Sequence, residues 1–324
     1  YRVSVVHQDA KRRVAQREAG VELLLPRIAY HETAVAEHAN AVLVDQVING
    51  LVSGGLYALI AIGYTLVFGV LEKLNFAHGE IFMFGGYAGL VALLLGGDLV
   101  VAAIFTAAVS AVLGLLVELV SFRKFRTADA QITAALSSLL VGLIVIELTH
   151  KFFSTEPRSL GLSASVYSAG IEVFGAQVAY IKLVILGVAL ALMMSLTYVI
   201  ERTRLGRNIR AVSESPTAAL LAGINVKRVT QYTFVIASVL AGIGGLLVAC
   251  KNGAAISDVG LSFGLKALAV MAIGGMGDLR GAVVAALLVG VAEGLIYWAG
   301  FGRLGEITVW VLMIAILLLR PSGL

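Results

Sequence analysis

Cysteine is nearly absent from this chain: Cys250 stands alone among 324 residues. A single thiol excludes an internal disulfide and any metal centre assembled from cysteines. Charge is scarce too, at 14% of residues, where an average soluble domain carries about 25%. There are four prolines, so few points where a helix must break. No Gly-Lys dipeptide occurs, which excludes a phosphate-cradling loop of the G-x-x-x-x-G-K-[ST] type. In the apolar part of the chain the histidines are His78 and His150, both near the ends of apolar runs. A membrane-embedded enzyme would need a nucleophile and base that converge, and that set is missing.

What remains is apolar. Hydrophobic residues make up 59% of the sequence and the mean hydropathy is +0.95. A transmembrane helix needs roughly 20 mostly apolar residues, and many windows qualify. The chain therefore reads as an all-α polytopic membrane protein. Its 36 glycines suit a packed bundle, because small residues let membrane helices approach closely. Gly-x-x-x-Gly recurs at Gly50/Gly54, Gly85/Gly89 and Gly290/Gly294 and reads as helix packing. Cys250 reads as a small apolar residue at a helix end.

Residues 1–40 differ, with six Lys/Arg and five Asp/Glu. They contain no short apolar core with a small-residue cleavage site, so they do not read as a signal peptide. His7, His31 and His38 there read as solvated. No function attaches to this segment, and residues 41–324 form the membrane domain. Spans are expected near 44–70, 80–96, 99–121, 131–150, 179–200, 229–250, 263–276, 281–299 and 306–319. The seventh is too short to cross a core of about 30 Å at 1.5 Å per residue and ends in "AIGGMGDLRG", which suggests a broken or re-entrant helix. The expected count is eight or nine. With nine crossings, one side carries Lys73, Arg123, Lys124, Arg126, Arg202, Arg204, Arg207, Arg210, Lys227, Arg228, Arg280 and Arg320; the other carries Lys151, Arg158, Lys182, Lys251 and Arg303. The richer side is cytoplasmic by the positive-inside rule. The same parity puts the N-terminal segment outside, against its own basic residues.

Three places in this apolar chain are polar. The cytoplasmic loop 201–228 contains "SESPTAALLAGI". Ser215 before Pro216 predicts a helix start, Ala218, Ala219, Leu220 and Leu221 are strong helix formers, and Gly223 predicts a stop. Such a helix either holds the loop to anionic lipid headgroups or docks a partner. The linker "LEKLNFAHGE" joins two spans: Asn75 and His78 are expected to cap helix ends, Gly79 supplies permissive backbone, and Glu80 follows. A proton relay through His78 is the other reading. Within the spans lie Glu118, Glu147, Lys266 and Glu293, each costly unless paired. Lys266 with Glu293 is the expected pair, either fixing the bundle or touching substrate. Glu118 and Glu147 read as anchors near the interfaces. The glycines Gly54, Gly55, Gly85, Gly86, Gly244 and Gly245 are candidates either to line a pathway or to pack helices.

Residues 49–87, "NGLVSGGLYALIAIGYTLVFGVLEKLNFAHGEIFMFGGY", resemble the opening of the permease subunits of branched-chain amino acid ABC importers. Residues 205–247 resemble the coupling loop and next span of that family, and "GLKALAVMAIGGMGDLRGAVVAALLVGVAEGL" with the terminal "LLLRPSGL" resembles its C-terminal third. The resemblance covers roughly residues 44–324. It implies a multi-pass permease of the bacterial inner membrane, working by alternating access on branched-chain or similar apolar amino acids. It implies no cofactor in this chain, with ATP and Mg on two cytoplasmic ATPase subunits, a second related permease beside it, and an extracytoplasmic substrate-binding protein. Glu214, Ala218, Ala219 and Gly223 match the Glu-Ala-Ala-type coupling helix of the wider importer class, with altered spacing. Related permeases for urea or short amides are an alternative. An ion-coupled secondary transporter is another; it would need a charge relay or broken-helix ion site.

Overall fold

The computed structural model of the chain describes residues 38–125, 130–320 and 323–324. Residues 1–37, with His7 and His31, and Arg126 lie outside the described residues, as does the Arg303 side chain. All nine expected spans are helices. They are α1 (His38–Leu71), α2 (His78–Leu94), α3 (Leu99–Val117) and α4 (Gln131–Phe153). After the short outer helix α5 (Ala164–Ser168) come α6 (Tyr180–Arg202), α7 (Arg204–Glu214), α8 (Pro216–Leu221) and α9 (Val226–Asn252). The chain closes with α10 (Val259–Gly274), α11 (Leu279–Trp298) and α12 (Gly302–Leu319). α1, α3, α4, α6, α9 and α11 are each long and apolar enough to span a bilayer. α10, at 16 residues, is about 24 Å long, short as expected, and Gly275 and Gly277 follow it at positive φ.

Helix ends follow local chemistry. Asp98 accepts from the Val101 amide at 2.8 Å and starts α3; Asp278 accepts from the Arg280 and Gly281 amides at 2.9 and 3.2 Å and starts α11. Each side chain satisfies amide groups that the first turn leaves without a helical partner. α3 runs into a π-helical turn, Glu118–Phe122.

Burial sorts the helices into two shells. The apolar windows of α1 and α9 are 83% and 78% buried, whereas those of α3, α4 and α6 are 28% buried. Their mean hydropathies, 1.9–2.6, do not separate them in this way; the outer three turn most of their surface outward and the inner two face protein. α2, with Ile81, Phe82 and Tyr87 fully enclosed, completes the centre. Glycines set the spacing. A Cβ on Gly50 of α1 would lie 2.5 Å from the Gly290 carbonyl oxygen of α11, and one on Gly54 would lie 2.8 Å from that of Ala286; Gly294 in turn abuts Gln46. Two of the Gly-x-x-x-Gly motifs therefore face one another in a single seam. Gly85 of α2 meets Gly242 of α9, and Gly245 meets the Phe82 carbonyl. Cys250 is buried in the last turn of α9.

Short strands cover the end of the bundle opposite the basic loops. β1 (Arg158–Ser159) pairs antiparallel with β4 (Ala254–Ala255). β2 (Gly170–Val173) and β3 (Ala176–Ala179) form a hairpin that turns at Phe174 and Gly175, both at positive φ.

Candidate functional site

At the basic end the chain builds a small helical platform. Thr203 caps α7 by accepting from the Gly206 amide at 3.2 Å. Arg210 of α7 donates to the Ile200 carbonyl at the end of α6. Ser215 caps α8 through the Ala218 amide at 3.2 Å, with Pro216 at the first helical position. Gly223, at φ +81°, ends it in the left-handed conformation that glycine adopts without strain. Ala219 is buried against the platform, whereas Glu214, Ala218 and Gly223 are exposed. Leu220 and Leu221 are 64% and 85% exposed. These two leucines were named from sequence as helix formers; their exposure is a tertiary fact.

α7 also forms one wall of a cavity of about 740 Å³. Thr65, Phe68 and Gly69 of α1, Thr197 and Glu201 of α6, Arg210 and Ser213 of α7, and the Met276–Arg280 turn line it. Arg280 bonds Glu201 across the rim, joining α11 to α6. In the opposite half of the bundle Met83, Gly86, Gly245 and Ala255 line a slot of about 10 Å³, about the room of one water molecule. The large cavity thus lies at the basic end of the bundle. None of the six glycines proposed as lining opens on the large cavity. Gly54, Gly85, Gly86, Gly244 and Gly245 abut backbone or side chains of neighbouring helices, and Gly55 touches Ala189. In this conformation they pack.

The linker 72–77 turns back into the protein. His78 lies against Gly63 of α1, where a Cβ would collide with its Nε2, and its ring sits edge-on to Tyr64 at 4.7 Å. Asn75 and His78 are 2% and 1% exposed. Neither caps a helix: Ala77 is the N-cap of α2 and no side chain bonds its first turn. The capping expectation fails because the linker is enclosed by α1 and α4; Phe76 gives its amide to Ser138 of α4 at 3.0 Å. Gly79 is needed for room rather than for φ, since a Cβ would lie 2.5 Å from the Gly260 carbonyl oxygen of α10. Glu80 is in the first turn of α2, where a carboxylate complements the positive end of the helix dipole, and its side chain contacts the Gly142 and Gly260 positions.

Lys266 and Glu293 meet. Lys266 Nζ is 2.9 Å from Glu293 Oε1. Tyr57 of α1, which sequence reasoning missed, donates to Glu293 Oε2 at 2.8 Å and accepts from Lys266 at 3.3 Å. The triad joins α1, α10 and α11, and its hydrogen bonds satisfy both charges away from water, as a buried pair requires. Glu118 is fully buried in the π-helical turn rather than anchored at an interface; Glu147 is exposed on α4.

Residues 46–318 match the family model described as branched-chain amino acid transport system / permease component. The chain belongs to this family. It is a permease component and a multi-pass membrane protein. The permease is 32% identical over 295 residues to the high-affinity branched-chain amino acid transport system permease protein BraD of Pseudomonas aeruginosa, covering 86% of this chain and 94% of that one. It is 32% identical over 293 residues to LivH, the corresponding protein of Escherichia coli (strain K12), with the same coverage. It is also 24% identical over 262 residues to the ribose import permease protein RbsC of Escherichia coli (strain K12), covering 78% of this chain and 77% of that one.

Proposed function

We propose that the chain is the translocating subunit of an ATP-driven importer for branched-chain or similar apolar amino acids, cycling by alternating access. The observation that carries this reading is the α7–α8 platform. A capped helix presents Leu220 and Leu221 to the outside, while the helix before it walls a cavity open at the same end. A cytoplasmic ATPase subunit that grips α8 would move α7, and with it the cavity wall and the Arg280–Glu201 link. Two such ATPases, carrying ATP and Mg, a second related permease and an extracytoplasmic binding protein complete the assembly. The cavity has carbon walls at Leu66, Phe68, Ile200, Ile209 and Leu279 and charged ones at Glu72, Glu201, Arg210, Glu214, Asp278 and Arg280, so an amino acid would leave through it as through a charged vestibule.

Gentle-detergent purification of the tagged chain from its native membrane tests this. The expected co-purifying chains are ATPase subunits and a sister permease, lost on Gly223→Pro, whose ring excludes the +81° φ, or on Ala219→Glu. The buried Lys266–Glu293–Tyr57 triad favours a second reading, an ion-coupled transporter. Recovery of the chain alone, with leucine uptake that survives ATP depletion and collapses with the ion gradient, would select it.

A further inference from the structure

α1 presents a polar residue every fourth position in its outer half: Asp45, Asn49, Ser53 and Tyr57. That spacing places them on one face, over about 18 Å of helix axis. Three lysines from three other helices meet this face. Lys182 of α6 is 2.8 Å from Asp45 Oδ1, whose other oxygen accepts from Asn49 at 3.0 Å. Lys251 of α9 donates to Ser53 Oγ at 2.8 Å. Lys266 of α10 meets Tyr57 and Glu293. The series descends from the outer end of the bundle, beside the β2–β3 hairpin, to the triad.

Lys251 is the odd member. Lys182 and Lys266 each have a carboxylate, whereas Lys251 has a neutral hydroxyl and no ion pair among the described residues. It is within electrostatic reach of Glu293, but also of Lys182 and Lys266, and Glu293 already serves Lys266 and Tyr57. Its place in the last turn of α9 suits the helix dipole, yet a lysine there for the dipole alone would extend outward into water. This one turns inward onto α1. A half-buried ammonium with only a hydroxyl partner is a place for an anion.

We infer that the cationic side of this polar face, centred on Lys251, is the outer recognition track for the zwitterionic head of the transported amino acid. In the track Lys251 releases Ser53 to hold the α-carboxylate, while the carboxylates of Asp45 and Glu293, each still held by its own lysine, flank the α-ammonium at longer range. The cavity of about 740 Å³ lies at the other end of the bundle, so the track is loaded in a conformation that opens the outer half. The inference rests on the importer reading and deepens it: an apolar pathway for the side chain needs one charged face for the head group.

The test is uptake of labelled L-leucine by the full complex, with its ATPase subunits and binding protein, in proteoliposomes. Lys251→Met is expected to keep the ATPase subunits bound and to cut leucine uptake at least about tenfold, the effect of losing one charge-assisted hydrogen bond. Lys251→Arg is expected to retain most uptake with a raised half-saturating concentration. Ser53→Ala, which removes the hydroxyl and keeps the cation, is expected to transport within about twofold of native. Uptake by Lys251→Met equal to native overturns the inference; so does a Ser53→Ala loss as deep as that of Lys251→Met, since Lys251 would then only tie α9 to α1. Native uptake that collapses when gluconate replaces chloride, with the residual uptake of Lys251→Met indifferent to that exchange, also overturns it, by assigning Lys251 to an inorganic anion. Absence of ATPase subunits from the native preparation would defeat the importer reading instead, and the same variants would still decide the role of Lys251.

Discussion

Lys266 and Glu293 show what a single residue can do in an apolar interior. Alone, each would be a buried charge; together with the Tyr57 hydroxyl they are fully bonded. Breaking one member of such a pair costs about 3–5 kcal/mol, whereas replacing both by apolar residues is often neutral. Lys266→Met and Glu293→Met are therefore each expected to lower the unfolding temperature in detergent. The double substitution should recover most of that loss. If it recovers uptake as well, the pair holds helices; if stability returns without uptake, the pair belongs to transport. The glycine seam makes a second residue-scale prediction. Gly290→Val would drive a side chain into Gly50 and Gly54, an overpacking cost of about 1–3 kcal/mol or more. Reduced yield and a lower melting temperature by light scattering are expected, with no change on an equivalent substitution at Gly187, whose surroundings are open.

Among the elements, α8 is the clearest case of local sequence and tertiary role agreeing. Its cap, its first-turn proline and its terminal glycine were each legible in "SESPTAALLAGI", because capping depends on residues a few positions apart. Which face it shows was not legible, since six residues give no usable period. Leu221→Asp changes only the exposed face, so the fold should survive; loss of the ATPase subunits with unchanged melting temperature is the expected result. The linker 72–77 is the contrary case. Asn75 and His78 look like caps because they flank an apolar run, but the choice between capping and burial is made by α1 and α4, distant in sequence.

On the scale of the whole molecule, the unequal ends of the bundle define a sidedness that labelling can read. A cysteine in place of Ser213, on the wall of the large cavity, is expected to react with a membrane-impermeant thiol reagent in inside-out vesicles and not in right-side-out ones. A cysteine in place of Ala249, beside the outer slot, is expected to stay unreactive from both sides until ATP and binding protein drive the cycle. Native Cys250 is buried and gives a low background. Labelling of Ser213→Cys from the outside would reverse the orientation argued from the basic loops.

Composition and hydropathy, read alone, determined that the chain lives in a membrane, where its long apolar helices run, which end carries the basic loops, and that Gly-rich faces would bring helices together. These follow from the bilayer, which acts on each segment separately through its length and apolarity. Only the tertiary structure decided which helices are central, that Gly50/Gly54 faces Gly290/Gly294, that Tyr57 completes the Lys266–Glu293 pair, and that Lys251 points inward. Equally apolar helices are indistinguishable to lipid; what separates them is the fit of small residues and the need of each buried charge for a partner, and both are settled between helices far apart in the chain.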